Sequence, residues 1–477
     1  MDPRASNTGP PLGAAWLRDD RYAALLAGMM WVLIVLMIVP EGFNYQGLTT
    51  TGAPSSGGPI SRMLWLALLA LSAIVTVWRM GLAWLLARVL NPFLPLLVAL
   101  AVASIAWSID PSLSFRRVIR LGTIVLACGA FVLIGWHARR YQNVVRPILT
   151  IMLVGSIVFG LVFPSLAIHQ ETSTELIGAW RGLTNHKNGF GALASIALIF
   201  WLHSGLTREV KLLPALVGGA LAVTCLVLSR SSTSFAAAVF GMLFLLVLLR
   251  SPHGLRPYVP YLVAMLVAML LVYAVAILDL IPGLNTLVAP ITTLTGKDTT
   301  LTGRTEIWAI LSEHIREHPF FGTGYGAYWT AAPVAGTESY EFVLRMGSFY
   351  PGSAHNGYLE IANDLGWIGL GGLIAYIVTH VRQSLQLLGT DRNQGSLYLA
   401  LFFQQAITNL SETHWFSVLS VDFVIMTLAT TALARGLLEY RLHSIYGEPH
   451  APIGAPVGGM TSPLAQRSIA RTQTGGV

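Results

Sequence analysis

The chain is dominated by apolar runs, each long enough to cross a lipid bilayer as a helix and separated from the next by a short polar stretch. Crossing the hydrocarbon core takes roughly 20 helical residues. Within it every backbone N–H and C=O must be satisfied, so only helices and closed barrels can span it. Barrel strands alternate apolar and polar residues. These runs do not alternate, so the expected fold is an all-α polytopic membrane protein with about twelve transmembrane helices. The expected spans are residues 23–40, 63–78, 92–107, 118–136, 147–168, 188–203, 212–228, 233–250, 258–281, 367–383, 396–410 and 416–434. Of the 477 residues, 54% are hydrophobic and only 11% charged, against about 25% charged in a typical soluble domain.

A formal charge of +7 would suggest nucleic acid in a soluble protein, but here the basic residues sit in short loops between spans. Membrane topology accounts for most of them, and no nucleic-acid partner is expected. With a cytoplasmic amino terminus, eighteen of the 29 Lys and Arg residues fall on the cytoplasmic side, as the positive-inside rule requires. The organisation then reads as a cytoplasmic segment over 1–22, transmembrane helices over 23–281, a large periplasmic loop with amphipathic helices over 282–366, further transmembrane helices over 367–434, and a cytoplasmic tail over 435–477. From about Gly447 that tail is rich in Gly, Pro, Ser and Thr and is expected to be disordered. The first apolar run is too long for a signal-peptide core and lacks a small-residue cleavage site, so it is expected to be a retained span. The two cysteines, Cys128 and Cys225, lie in apolar helices and offer neither a disulfide framework nor metal-ligand spacing.

Several basic residues break the topological rule by crowding the outer ends of spans: Arg116, Arg117, Arg120, Arg181, Lys187 and Arg230. One reading is that they snorkel to lipid phosphates. The other is that some converge on an anionic ligand, because charges near membrane depth are costly and tend to be kept for function. A lipid-linked diphosphate fits, with two phosphates at headgroup level and an apolar tail that can lie between spans.

Four outer segments carry candidate chemistry. Trp180 to Gly191, W-R-G-L-T-N-H-K-N-G-F-G, is dense in donors, and Arg181, His186 and Lys187 can grip a phosphate or sugar at a helix start. The alternative is an interfacial helix cap with Asn185 or Asn188 as the capping residue. Leu228 to Phe235, L-S-R-S-S-T-S-F, holds Arg230 among hydroxyls in a tight turn. Thr302 to Pro319 has Ile307, Trp308, Leu311 and Ile315 at helical spacing, which predicts an amphipathic helix. Arg304 stands in its first turn, where a cation is unfavourable, so a bound anion or a nearby carboxylate is expected there. The glycines of F-F-G-T-G-Y-G follow no apolar strand and read as a tight turn rather than a phosphate loop. Ser353 to Asp364, S-A-H-N-G-Y-L-E-I-A-N-D, offers His355 as general base. Glu360 and Asp364 are alternative bases or orienting groups, and His414 in S-E-T-H-W-F is a weaker rival. His314 and His318 read as solvated helix positions.

Taken together and in this order, L-S-R-S-S-T-S-F, G-R-T-E-I-W, H-P-F-F-G-T-G-Y-G and S-A-H-N-G-Y-L-E make the chain resemble the O-antigen ligase and polymerase superfamily from about residue 180 to 435. The resemblance implies a membrane glycosyltransferase fold of the C type (GT-C). It also implies transfer of glycan from undecaprenyl diphosphate at the periplasmic face of the bacterial inner membrane, with lipid A core oligosaccharide as the ligase branch's acceptor in lipopolysaccharide biosynthesis. It makes His355 the essential loop histidine, and Arg304 and Arg230 donor-diphosphate residues. Arg181, His186 and Lys187 match less securely, and Trp308 and Glu360 are supporting residues. No D-x-D element is present to hold a divalent ion, so metal-independent, inverting chemistry with no cofactor is expected. An O-antigen or exopolysaccharide polymerase and a protein O-oligosaccharyltransferase share the donor. A transporter of lipid-linked glycan is the reading from another class, but it would call for broken helices or ionisable groups at mid-membrane in related halves.

Overall fold

The computed structural model describes residues 20–40, 44–45, 59–170, 176–277, 304–330, 338–346 and 351–446. The 1–19 segment, the 278–281 end of the expected ninth span, the 282–303 part of the expected outer loop and the tail from Gly447 lie outside the described residues. Among the described residues the structure is helical, with one isolated antiparallel bridge between Ile168 and Trp180. The helices are α1 (Ala23–Ile38), α2 (Pro59–Trp78), α3 (Met80–Ala87), α4 (Phe93–Ala103), α5 (Pro111–Leu133), α6 (Arg140–Val162), α7 (Lys187–Leu206) and α8 (Leu212–Ser229). They continue with α9 (Ser232–Arg250), α10 (Val259–Ile277), α11 (Arg304–Glu317), α12 (Glu338–Arg345), α13 (Gly357–Thr390), α14 (Arg392–Thr408) and α15 (Val421–Tyr446).

Among the described residues, eight helical segments are long and apolar enough to cross a membrane, and the apolar helices Ala23–Ile38 and Phe93–Trp107 are shorter. The chain is a multi-pass membrane protein. Its outermost helices show why the apolar runs have no polar side: α2, α8 and α10 expose Ile60, Leu66, Leu212, Val217, Tyr261 and Met265, a surface suited to lipid. By contrast α15 is almost wholly enclosed, packing against α5, α13 and α14.

The helix ends sort into two sets. At one end Arg140 donates to the Ala23 carbonyl at 3.1 Å, Gln142 to Glu209 at 3.2 Å and Gln383 to the Val89 carbonyl at 2.8 Å, while His203 meets the Asn393 carbonyl. At the other, the Ile109 amide donates to Thr323 at 2.9 Å, Tyr45 to the Leu183 carbonyl at 3.0 Å and Ser411 to Thr233 at 2.8 Å. This is the alternation that the spacing of apolar runs requires.

Two elements begin earlier or later than the apolar pattern indicates. Helix α5 starts at Pro111, because the Asp110 carboxylate accepts from the Leu113 amide at 2.9 Å and Pro111 occupies the first helical position. Arg116 and Arg117 therefore lie within the helix, as Arg120 does, rather than before it. Helix α15 starts at Val421 and runs to Tyr446, past the expected end at 434.

Helix α13 is broken at Gly366, whose φ of 66° lies in the left-handed region. The glycine turn before it stitches the break. Amides of Thr323 and Gly324 donate to the carbonyls of Asn363 and Asp364, at 3.1 and 3.0 Å. Amides of Trp367 and Ile368 donate to Pro319 and Phe320, at 2.8 and 3.3 Å. A Cβ on Gly366 would stand 2.3 Å from the Phe320 carbonyl, so the two backbones meet only through glycine. The G-T-G-Y-G segment is a turn, as its sequence indicates, with positive φ at Gly322, Gly324 and Gly326.

Candidate functional site

The end of the bundle that carries the predicted motifs is organised by short segments that hold one another through backbone groups. Helix α11 buries Ile307, Trp308, Leu311 and Ile315, the predicted apolar face, each worth about 1.5–3 kcal/mol. Trp308 donates from Nε1 to the Ala354 carbonyl at 2.9 Å, and the Ala354 amide donates to Glu360 Oε2 at 2.7 Å. The peptide before His355 is thus gripped on both sides. Asn356 then caps α13, its side-chain oxygen accepting from the Tyr358 and Leu359 amides at 3.0 and 3.1 Å. Gly357 donates to the Asn409 carbonyl at 2.9 Å, and a Cβ there would lie 1.9 Å from Asn409 Oδ1. These contacts explain S-A-H-N-G-Y-L-E residue by residue. His355 itself is held at φ 48°, a strained conformation for a non-glycine residue.

The centre of the site is Glu412, in the loop between α14 and α15. Its carboxylate accepts from Arg304 Nη2 at 2.8 Å and from Asn188 Nδ2 at 2.6 Å, and its other oxygen lies 3.4 Å from His355 Nδ1. One carboxylate therefore joins Arg304, the start of α7 and His355, which are far apart in sequence. Burial alone pushes the Glu412 carboxyl up, but His355 and the Arg304 guanidinium outweigh it and hold it at about 2. The pairing also supplies the carboxylate expected beside Arg304 at its helix N-terminus. Glu412 was not singled out in the sequence. Its signal is an acidic residue in S-E-T-H-W-F, a short outer loop where the neighbouring His414 draws attention first.

The remaining predicted residues fall at different places. His186 caps α7, its Nδ1 accepting from the Asn188 amide at 3.3 Å, so the cap is neither Asn185 nor Asn188; the Asn188 side chain goes to Glu412 instead. Burial, with the neighbouring His169 and His355 rings, pushes His186 down to about 3 against the pull of Glu412. Arg181 is buried and donates to the Leu166 carbonyl at 2.8 Å. Lys187 opens α7, its amide donating to His169 Nε2 at 3.2 Å. Arg230 has φ 51° and donates to the Ile177 carbonyl at 2.9 Å from an exposed position. Its turn packs against the start of α7, where a Cβ on Gly191 would meet Ser229, Ser231 and Ser234 within 2.9 Å. The structure thus joins His355 and Arg304 through Glu412 and places Arg230 at the rim of the same end. His314 is not solvated: it is buried against Tyr328 and bonded to Asn363 and Glu338, because it faces α13 from the last turn of α11.

Below Glu412 lies a cavity of about 250 Å³ whose lining includes Arg117, His186, Glu360, Asp364, Glu412 and Asp422. Arg117 donates to the Gly326 and Trp329 carbonyls, and Asp364 accepts from the Gly326 amide at 2.7 Å. Among the described residues, buried polar atoms of Asp364, Thr413, His414, Trp415 and Asp422, all lining residues, have no hydrogen-bond partner. Buried unsatisfied groups are costly, so this cavity suits a ligand or water rich in hydroxyls.

No curated protein matches the chain in sequence. A family model described as O-antigen ligase matches residues 217–374, the stretch from α8 into α13 that carries Arg230, Arg304, Trp308, His355 and Glu360. Over these residues, which hold the clustered motif residues, the chain is similar to the O-antigen ligase family.

Proposed function

We propose that the chain ligates O-antigen glycan from undecaprenyl diphosphate onto lipid A core oligosaccharide, at the periplasmic face of the bacterial inner membrane, within a twelve-span GT-C-type architecture. The observation that carries this reading is the single carboxylate of Glu412 shared by Arg304 and His355. A carboxylate at Nδ1 orients the imidazole and leaves Nε2 to take a proton. His355 removes the proton of an acceptor sugar hydroxyl as its oxygen bonds to the anomeric carbon. The bond from that carbon to the diphosphate breaks, and undecaprenyl diphosphate leaves from the opposite face with inversion. Arg304 and Arg230 stabilise the charge on the departing diphosphate. The cavity below Glu412 offers its unpaired polar atoms to sugar hydroxyls.

Reconstitution of the purified protein with undecaprenyl diphosphate glycan and lipid A core, in EDTA, tests the proposal. Glycan appearing on lipid A core is the expected result. Lengthened donor would assign a polymerase instead, and glycan on a protein acceptor an O-oligosaccharyltransferase. The absence of any transfer would overturn the reading.

A further inference from the structure

A second cluster of ligating side chains lies away from Glu412, at the far end of α11. His314 and His318 stand one turn apart, and Glu338 opens α12 beside them; the three donor atoms lie within 4.8 Å of one another. Ten residues of helix separate His314 from Arg304, about 15 Å along the axis, so the cluster is distinct from the transfer site.

The contacts of His314 are the informative ones. Its Nδ1 lies 2.8 Å from Asn363 Oδ1 and its Nε2 lies 2.6 Å from Glu338 Oε2. Both neighbours are acceptors. A neutral imidazole has one N–H, so the two contacts together call for a second positive species at His314, either the added proton of an imidazolium or a metal ion in its place. His318 Nε2 is 3.8 Å from the other carboxylate oxygen, Oε1, too long for a hydrogen bond. A tetrahedral ion with bonds of about 2.0–2.1 Å places its donor atoms roughly 3.3 Å apart. The observed pair separations of 2.6 and 3.8 Å bracket that value, so small side-chain rotations close the site.

We propose that His314, His318 and Glu338 bind a divalent transition-metal ion, zinc by ligand type, which clips α12 onto α11. Two imidazoles and one carboxylate are a borderline-soft donor set, typical of zinc with a fourth position left to water. Asn363 is the outer partner that fixes the His314 tautomer with Nε2 facing the ion. His318 and Glu338 retain 42% and 33% side-chain exposure, which gives the ion a path from solvent. Arg345 and Glu313 pair at 2.7 Å between the same two helices, and Phe342 of α12 packs on Trp329, so the ion would close an interface already formed. Because α11 carries Arg304 and Trp308 and Asn363 belongs to α13, the clip braces the scaffold of the transfer site without touching substrate.

The test uses the purified full chain, tag removed and metal stripped, titrated with zinc chloride. The expected result is one zinc per chain and a higher unfolding temperature, with affinity falling at least 100-fold in both His318→Ala and Glu338→Gln. These side chains are partly exposed, so the variants fold, and their transfer activity without zinc equals that of the stripped parent. Zinc binding unchanged in either variant, or no saturable binding in the parent, would overturn the proposal, the latter leaving a proton alone between His314 and Glu338. Neither outcome bears on transfer at Glu412, which is read separately as product formed.

Discussion

Replacing Glu412 by Gln keeps the shape of the side chain and removes the charge that Arg304 and His355 share. The carboxyl is held at about 2 rather than its ordinary 4.5. At about 1.4 kcal/mol per tenfold change in proton affinity, that corresponds to about 3 kcal/mol favouring the ionised form. A depressed carboxylate contributes stability that is present above its unfolded value near 4.5 and is lost as pH falls through about 2. Glu412→Gln should therefore unfold more easily than the parent at pH 7, by about 3 kcal/mol. That gap should narrow below pH 4.5 and close near pH 2. Unfolding of detergent-solubilised protein across this range measures the gap. With the imidazole no longer oriented, glycan transfer should fall by about 10²–10⁴-fold. A gap that stays constant with pH, together with full transfer, would refute the shared-carboxylate arrangement.

Trp308→Phe removes the 2.9 Å hydrogen bond to the Ala354 carbonyl and should cost about 1–3 kcal/mol. Transfer kinetics should show kcat reduced through misplacement of His355, with donor KM little changed. Gly366→Ala places a Cβ 2.3 Å from the Phe320 carbonyl at a φ of 66°, so the yield of monodisperse protein should collapse on size-exclusion chromatography. Arg230→Ala removes an exposed guanidinium bonded to a loop carbonyl. Thermal stability should be nearly unchanged while kcat/KM for the lipid-linked donor falls about 10–100-fold, the loss of a charge-assisted hydrogen bond.

The parts of this architecture written most plainly in the sequence are those that the bilayer dictates. Apolar runs mark helices because no other open structure satisfies its backbone in lipid, and the 3.6-residue spacing of Ile307, Trp308, Leu311 and Ile315 marks the buried face of α11. Arg304 at a helix start likewise announced a missing negative partner. What stayed hidden was the identity of that partner, because Glu412 reaches Arg304 across 108 residues and no local pattern encodes such a contact. The break at Gly366 was hidden for the same reason, since its unpaired carbonyls are met by amides of the glycine turn some forty residues earlier. His314 stands seven residues after Ile307 and three after Leu311, at the edge of the buried face of α11, where its polar side chain masks a burial that the helical spacing allows. The start of α5 is hidden for a different reason: its cap signal, Asp110-Pro111, is local but polar and lies outside the apolar run.

The central claim is that His355, oriented by Glu412, takes the acceptor proton. The most direct measurement compares parent and His355→Ala in reconstituted transfer from purified undecaprenyl diphosphate glycan, with correct folding checked by an unchanged size-exclusion profile. The account predicts that the variant is folded and that its transfer rate drops by at least about 10²-fold; transfer at the parental rate would contradict it.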